Sequence, residues 1–206
     1  MESVMSRSAA DLPVEGPWTR GGITVTCIKD VTPDLIAQFW PLYEQAFGPL
    51  RILAAARHVL THAEFSEEIS DPRVWKYVAA DADGQPIGLT TLTNDLTSVP
   101  WISPEYFAHH YPEQWSRQAV FYMGFSLVDP TLRHTRVFLS MLRPTSLRVA
   151  SQRGVCAYDV CGYNDASFDF GAGIERLLHR LSEVHVAPID VQTYYAATFT
   201  GLLTDR

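Results

Sequence analysis

Apolar residues recur along this chain in two periods, and the switch between them marks out the elements. In "ITVTCI" (23–28) β-branched residues alternate with threonines, which predicts a first strand. From Thr32 the period becomes helical: Leu35, Phe39, Leu42, Tyr43 and Phe47 fall on one stripe behind a Thr N-cap and a proline in the first turn. Pro41 is expected to bend or divide that helix, because proline lacks the N–H and crowds the preceding turn. A second helix is predicted over 50–69, ended by "SDPR". "VWKYVAADADGQPIGLTTLTND" is then two strands joined at Asp83–Gly84, a dipeptide that supplies the positive φ of a tight turn, so a hairpin is predicted over 74–94.

Residues 95–118 form a long connection rich in proline and aromatics, of the kind that carries its own short helix or shapes a binding site. "AVFYMGFSLV" (119–128) reads as a strand buried on both faces, with Gly124 marking a bulge or a close approach. A helix is expected over 134–153, kinked or divided at Pro144 and ended at Gly154. A strand over 155–161, a helix running to Leu181 and a last strand over 189–199 complete the pattern. The order β-α-α-β-β-β-α-β-α-β belongs to the α+β class. Strands joined by turns should pair antiparallel. The two joined through the 134–153 helix should be parallel, giving a mixed, mostly antiparallel sheet with helices on both faces.

Composition narrows the class. The 206 residues are 47% hydrophobic and 19% charged, which suits a chain that buries a proper core. Residues 1–21 show no period and are expected to be a flexible leader to a single domain over 22–206. No apolar run approaches the roughly 18–20 residues that cross a bilayer, and the first residues lack the basic start and apolar middle of a secretory signal. A cytoplasmic location without membrane association is the expectation. A net charge of −7 argues against nucleic-acid binding, which needs basic faces. Cys27, Cys156 and Cys161 lie in apolar runs without metal-ligand spacing and are expected to be reduced core residues.

Candidate chemistry centres on "LVDPTLRHTRVF" (127–138), where a strand runs into a helix. A helix N-terminus offers unpaired N–H groups and partial positive charge, a natural seat for a pyrophosphate. The element order, together with Val128, Pro130 and Arg133 here and Gly154 and Asn164 after the helix, resembles the GCN5-related N-acetyltransferases. The resemblance spans about residues 23–199. It implies a parallel strand pair splayed at a cofactor site, acetyl-CoA or another acyl-CoA as co-substrate, and no metal. It also implies a cofactor contact set of Leu127, Val128, Arg133, His134, Thr135, Arg136, Val137, Phe138 and Asn164. The sequence departs from the family where small or glycine residues usually stand: His134, Arg136 and Phe138 occupy those places. Arg133, Arg136 and His134 would then hold phosphate through side chains rather than through closely approached backbone.

For acid–base work the residues to examine are Tyr163, beside the Asn, and Glu105 and His109, which stand at i, i+4 spacing in "EYFAHHYPE". Tyr194 and Tyr195 are further acid candidates. The same Glu/His group reads equally as a solvated helix turn. "EFSEEI" (64–69) most simply faces solvent, but at a pocket rim it would favour a cationic acceptor. Asp159 faces either solvent or the chemistry, and "FGAGIE" is an ordinary helix start with only a faint echo of a phosphate loop. Two functions remain open: an N-acyltransferase acting on a small-molecule amine or a protein lysine, and an inactive binding module of the same fold. A homodimer is a mild further expectation of the resemblance.

Overall fold

The computed structural model describes residues 16–55, 59–132 and 136–198. In chain order the elements are β1 (Trp18–Arg20), β2 (Ile23–Ile28), α1 (Pro33–Phe47), α2 (Leu50–Leu53), α3 (His62–Ser70), β3 (Val74–Ala80), β4 (Pro86–Thr93), α4 (Pro104–His110), α5 (Pro112–Ser116), β5 (Val120–Val128), α6 (Val137–Ser151), β6 (Val155–Ala157), α7 (Gly162–Phe168) and α8 (Phe170–Leu181). Short 3-10 turns lie at Leu96–Ser98 and Pro130–Leu132. The six strands form one sheet in sequence order. Every neighbouring pair is antiparallel except β5 and β6, which are parallel, as the crossover through α6 requires.

Helices cover both faces. On one, α6 lays Val137, Met141 and Val149 against Val25, Tyr77, Ala79, Leu92 and Phe121. On the other, α1 and α3 place Phe39, Tyr43, Phe65 and Ile69 against Leu89, Phe125 and Leu127. Further along that second face, Leu96, Val99 and Phe107 from the 95–118 connection pack on Val120 and Tyr122. Each fully buried aromatic of this kind contributes on the order of 2–3 kcal/mol of burial.

The hairpin turns at Gly84, whose φ is +80°, as the Asp83–Gly84 pair requires. Five expectations change. The leader already contains β1, whose Trp18 is buried against the sheet, while residues 1–15 lie outside the described residues. The helix expected over 50–69 is two helices. Thr61 restarts it: its hydroxyl accepts from the Glu64 N–H while Glu64 accepts from the Thr61 N–H at 2.7 Å, a reciprocal cap that local pattern outweighed on the page but not in the fold. Of the two outcomes expected at the prolines, division does not occur; α1 and α6 each run fifteen residues through Pro41 and Pro144. β6 stops at Ala157 rather than reaching 161. The last strand is absent over 189–198: these residues belong to no element, Val191 and Tyr195 are exposed, and residue 199 lies outside the described residues. Strand propensity expresses itself only where a ladder partner is present.

Candidate functional site

β5 carries the irregularity from which the site follows. Thr90 on β4 stands opposite Ser126 and Leu92 opposite Met123, so two steps on β4 meet three on β5. The extra residue reverses the facing of β5. Phe121 and Met123 point to α6, whereas Phe125 and Leu127 point to α1 and α3. Gly124 sits in this bulge because nothing larger fits: a Cβ there would stand 2.5 Å from Thr91 Oγ1. The bulge was foreshadowed by Gly124 in an otherwise bulky strand.

The parallel ladder is short. It joins Val120, Phe121 and Tyr122 to Val155, Cys156 and Ala157, and then the strands part. From Met123 to Val128 the β6 side of β5 has no strand partner among the described residues, leaving a row of backbone groups that runs toward the start of α6. Cys156 stands at the fork. Burial pushes its thiol up to about 12 against a backbone hydrogen bond from Met123 that pulls the other way, so it is protonated at neutral pH and is not a nucleophile.

At the far end of that row, the Asp129 carboxylate accepts from the Thr131 N–H and hydroxyl at 2.8 and 2.7 Å, and the Asp129 N–H donates to Ile87 O. Arg133, His134 and Thr135 lie outside the described residues. Arg136 is exposed at the N-cap of α6 and its side chain makes no capping bond. Val137 is buried under β4, and Phe138, half-buried, meets the Phe170 ring of α8 at 6.3 Å. Leu127 is buried against α1 and α3 and Val128 packs toward α6, so both present backbone rather than side chain to the open edge. Asn164 and Tyr163 ride together on α7, the latter with its ring edge-on to Phe168.

Glu105 and His109 lie elsewhere, on the outer face of α4. Glu105 accepts from the Ser103 hydroxyl at 2.9 Å, and that bond and its own backbone N–H hold its carboxyl below the usual range. His109 packs edge-on against His110, whose ring lies 4.3 Å from Tyr106, and Glu113 faces Arg117 at 3.7 Å. These four side chains therefore serve helix ends and surface. Among the described residues no three His, Cys, Asp or Glu side chains converge on a metal position. Nor is "FGAGIE" an anion loop, since the Gly171 N–H already donates to Asp165 at 2.9 Å. Tyr194 and Tyr195 are exposed in the segment after α8.

What does converge on the bulge is a different set. A cavity of about 20 Å³ beside Gly124 is bounded by Glu68, Thr91, Thr93, Ser98, Trp101 and Tyr122. The Trp101 indole N–H donates to the Tyr122 hydroxyl at 3.0 Å, and that hydroxyl donates to Asp159. Of the acidic run, Glu64 caps α3 and Glu67 is exposed, while Glu68 turns inward toward Gly124. Asp159 likewise resolves toward this centre through Tyr122. Beyond β6, burial raises the Tyr158 phenol, with Cys156 and Glu175 adding to the shift, so it too stays protonated at neutral pH. Sequence periodicity had no means to single out Tyr122, Thr91 or Glu68. They are separated by more than twenty residues and meet only through sheet register.

A mixed sheet with a bulged strand that forks from its parallel neighbour ahead of a helix N-terminus matches known structures. One aminoglycoside acetyltransferase from an uncultured soil metagenomic sample, solved with sisomicin, superposes with a TM-score of 0.51 over 86% of this chain and 97% of its own, at 13% identity. A GCN5-related N-acetyltransferase from Kribbella flavida gives 0.50 over 78% and 81%, at 14% identity. An integron cassette protein from the mobile metagenome of V. cholerae gives 0.50 over 87% and 94%, at 14% identity. This chain has the GCN5-related N-acetyltransferase fold. No family model matches the sequence, and no curated protein matches it either. The Glu68–Thr91–Tyr122 group lies beside the fork between β5 and β6.

Proposed function

We propose that the protein is an acyl-CoA-dependent N-acyltransferase that moves an acyl group, acetyl first among them, to the primary amine of a small molecule or a lysine side chain. The observation that carries this reading is the unpartnered edge of β5 from Met123 to Val128, which opens where β6 leaves it and points at the start of α6. An amide-rich pantetheine arm can pair with such an edge as an added strand would. Its thioester would then lie near the bulge, and its phosphates near the first turn of α6.

In this arrangement Arg136, with Arg133 and His134 preceding it, supplies phosphate contacts through side chains, which replace glycine-backed amides. Leu127 and Val128 contribute backbone. The amine must lose a proton and attack the thioester carbon; the C–N bond forms as the C–S bond breaks, and a backbone N–H at the bulge would stabilise the oxyanion. The thiolate then needs a proton. Tyr158 and Tyr163 are the phenols nearest the β6 side of the fork in sequence, and Tyr158 is held in its protonated form.

Asp129 favours the rival reading, an inactive binding module. Its carboxylate occupies the Thr131 N–H and adds a negative charge where phosphate would sit. Calorimetry with acetyl-CoA and CoA separates the two. Micromolar binding that weakens at least tenfold, about 1.4 kcal/mol, in the Arg133→Ala, Arg136→Ala double variant supports the acyltransferase. No heat from either ligand up to millimolar concentration would establish the inactive module.

A further inference from the structure

Odd-numbered residues of β2 and β3 face α6: Val25 and Cys27 on one strand, Trp75, Tyr77 and Ala79 on the other. The last turns of α6 do not close over all of them. A groove of about 430 Å³ lies there, lined by Gly16, Pro17, Cys27, Lys29, Trp75 and Arg148. Arg148 stands in the last turn of α6, about 16 Å along the helix from its first residue. The groove is therefore separate from the fork and from the first turn of α6.

It holds positive charge that the surrounding side chains do not balance. The Arg148 guanidinium carbon lies 4.7 Å from the centre of the Trp75 ring, and Lys29 Nζ lies 5.0 Å from it. Arg148 Nε donates to the Tyr77 hydroxyl at 2.6 Å, and Nη2 approaches Cys27 Sγ at 3.9 Å. Burial raises the Tyr77 phenol, so it stays neutral and offsets none of the charge. Acidic residues outnumber basic ones by 23 to 16, and Arg51, Arg73, Arg117 and Arg176 each face a carboxylate. Among the described residues Arg148 and Lys29 face none, and Nη1 of Arg148 has no acceptor.

A cation against an aromatic ring gains about 0.5–2 kcal/mol, but two cations gathered at one ring repel each other. An anion between them would relieve that repulsion. The planar fork of a guanidinium matches the paired oxygens of a carboxylate or phosphate, and a lysine adds a point charge. Around these groups the walls are carbon, from Pro17 and the Trp75 ring. The volume falls within the roughly 300–1,000 Å³ typical of small-molecule sites and is more than a bare oxyanion fills.

We propose that this groove binds a small amphipathic anion, a carboxylate or phosphate carried on a compact apolar body, with Arg148 and Lys29 taking the charged end. The site stands independently of the acyltransferase reading.

Calorimetry on the full chain tests it with three probes that share one ring: phenyl phosphate, phenylacetate and the neutral benzyl alcohol. At least one anion should bind with Kd below about 1 mM, and benzyl alcohol at least about tenfold more weakly. The tighter anion names the headgroup, and either supports the site. Lys29→Gln, a change at an exposed side chain, and Arg148→Lys, which keeps the charge but loses the fork, should each weaken the anion at least about fivefold. Bound anion should also slow alkylation of Cys27 relative to Cys161, read by peptide mass. No heat from either anion at millimolar concentration overturns the site, as does benzyl alcohol binding equally well. Affinity lost in Arg136→Ala but kept in Lys29→Gln would put the anion at the start of α6 and overturn it too. An unchanged Cys27 to Cys161 ratio would do the same.

Discussion

Lys76 offers the sharpest test of the interior described above. Its side chain is 0% exposed, on the face of β3 that meets α3. Burial lowers its ammonium from 10.5 to about 8; Asp71 and Asp30 pull the other way, Lys29 reinforces the drop, and Cys27 opposes it weakly. The folded protein therefore releases this proton before the unfolded chain does. Between those two values the unfolded state binds more protons, so stability from this group rises with pH, and it is constant only well below pH 8, where both states are protonated. Across pH 7 to pH 9 the two titrations add on the order of 1 kcal/mol of stability. Lys76→Met removes the titration and leaves the Lys29 and Asp71 carbonyls without their donor at every pH. The absolute cost of the substitution is thus not the test; its pH dependence is. Other groups titrate in this range, the cysteine thiols of the unfolded chain among them, but they are common to both proteins and cancel in the difference. Urea denaturation of wild type and variant at pH 7, 8 and 9 should show the wild type gaining on the variant by on the order of 1 kcal/mol across the series. A difference flat to within a few tenths would mean that water reaches the ammonium.

Two further substitutions probe the packing around the site. Tyr43→Phe removes the buried hydroxyl that accepts from the Leu60 N–H at 3.1 Å and should cost about 1–2 kcal/mol in urea denaturation with an unchanged m-value. Tyr122→Phe deprives the Trp101 indole of its acceptor and Asp159 of a donor. It should cost about 1–3 kcal/mol and shift tryptophan emission to the red as Trp101 loosens; an unchanged spectrum would show that the ring is held by apolar contact alone.

The sequence by itself determined the elements whose signals are local. Thr32 and Pro33 start α1, Asp83–Gly84 turns the hairpin and the apolar run at 120–128 forms the central strand, because caps, turns and periodicity act over a few residues. The parallel β5–β6 pair was legible too, since a helical crossover leaves no other orientation. Gly124 announced the bulge but not its consequence. Only the tertiary structure decided which strands found neighbours, and so the 189–198 segment, with strand-like composition but no ladder partner, stays outside the sheet and exposed. Register, likewise, is a property of pairs. One extra residue in β5 turned Phe125 toward α1, opened a gap beside Thr91 and brought Glu68, fifty-six positions before Gly124, to its edge. Glu105 and His109, which share a helix turn and were conspicuous on the page, went to the surface of α4, because proximity along a chain says nothing about which face a helix buries when its apolar partner, Phe107, lies on the other side.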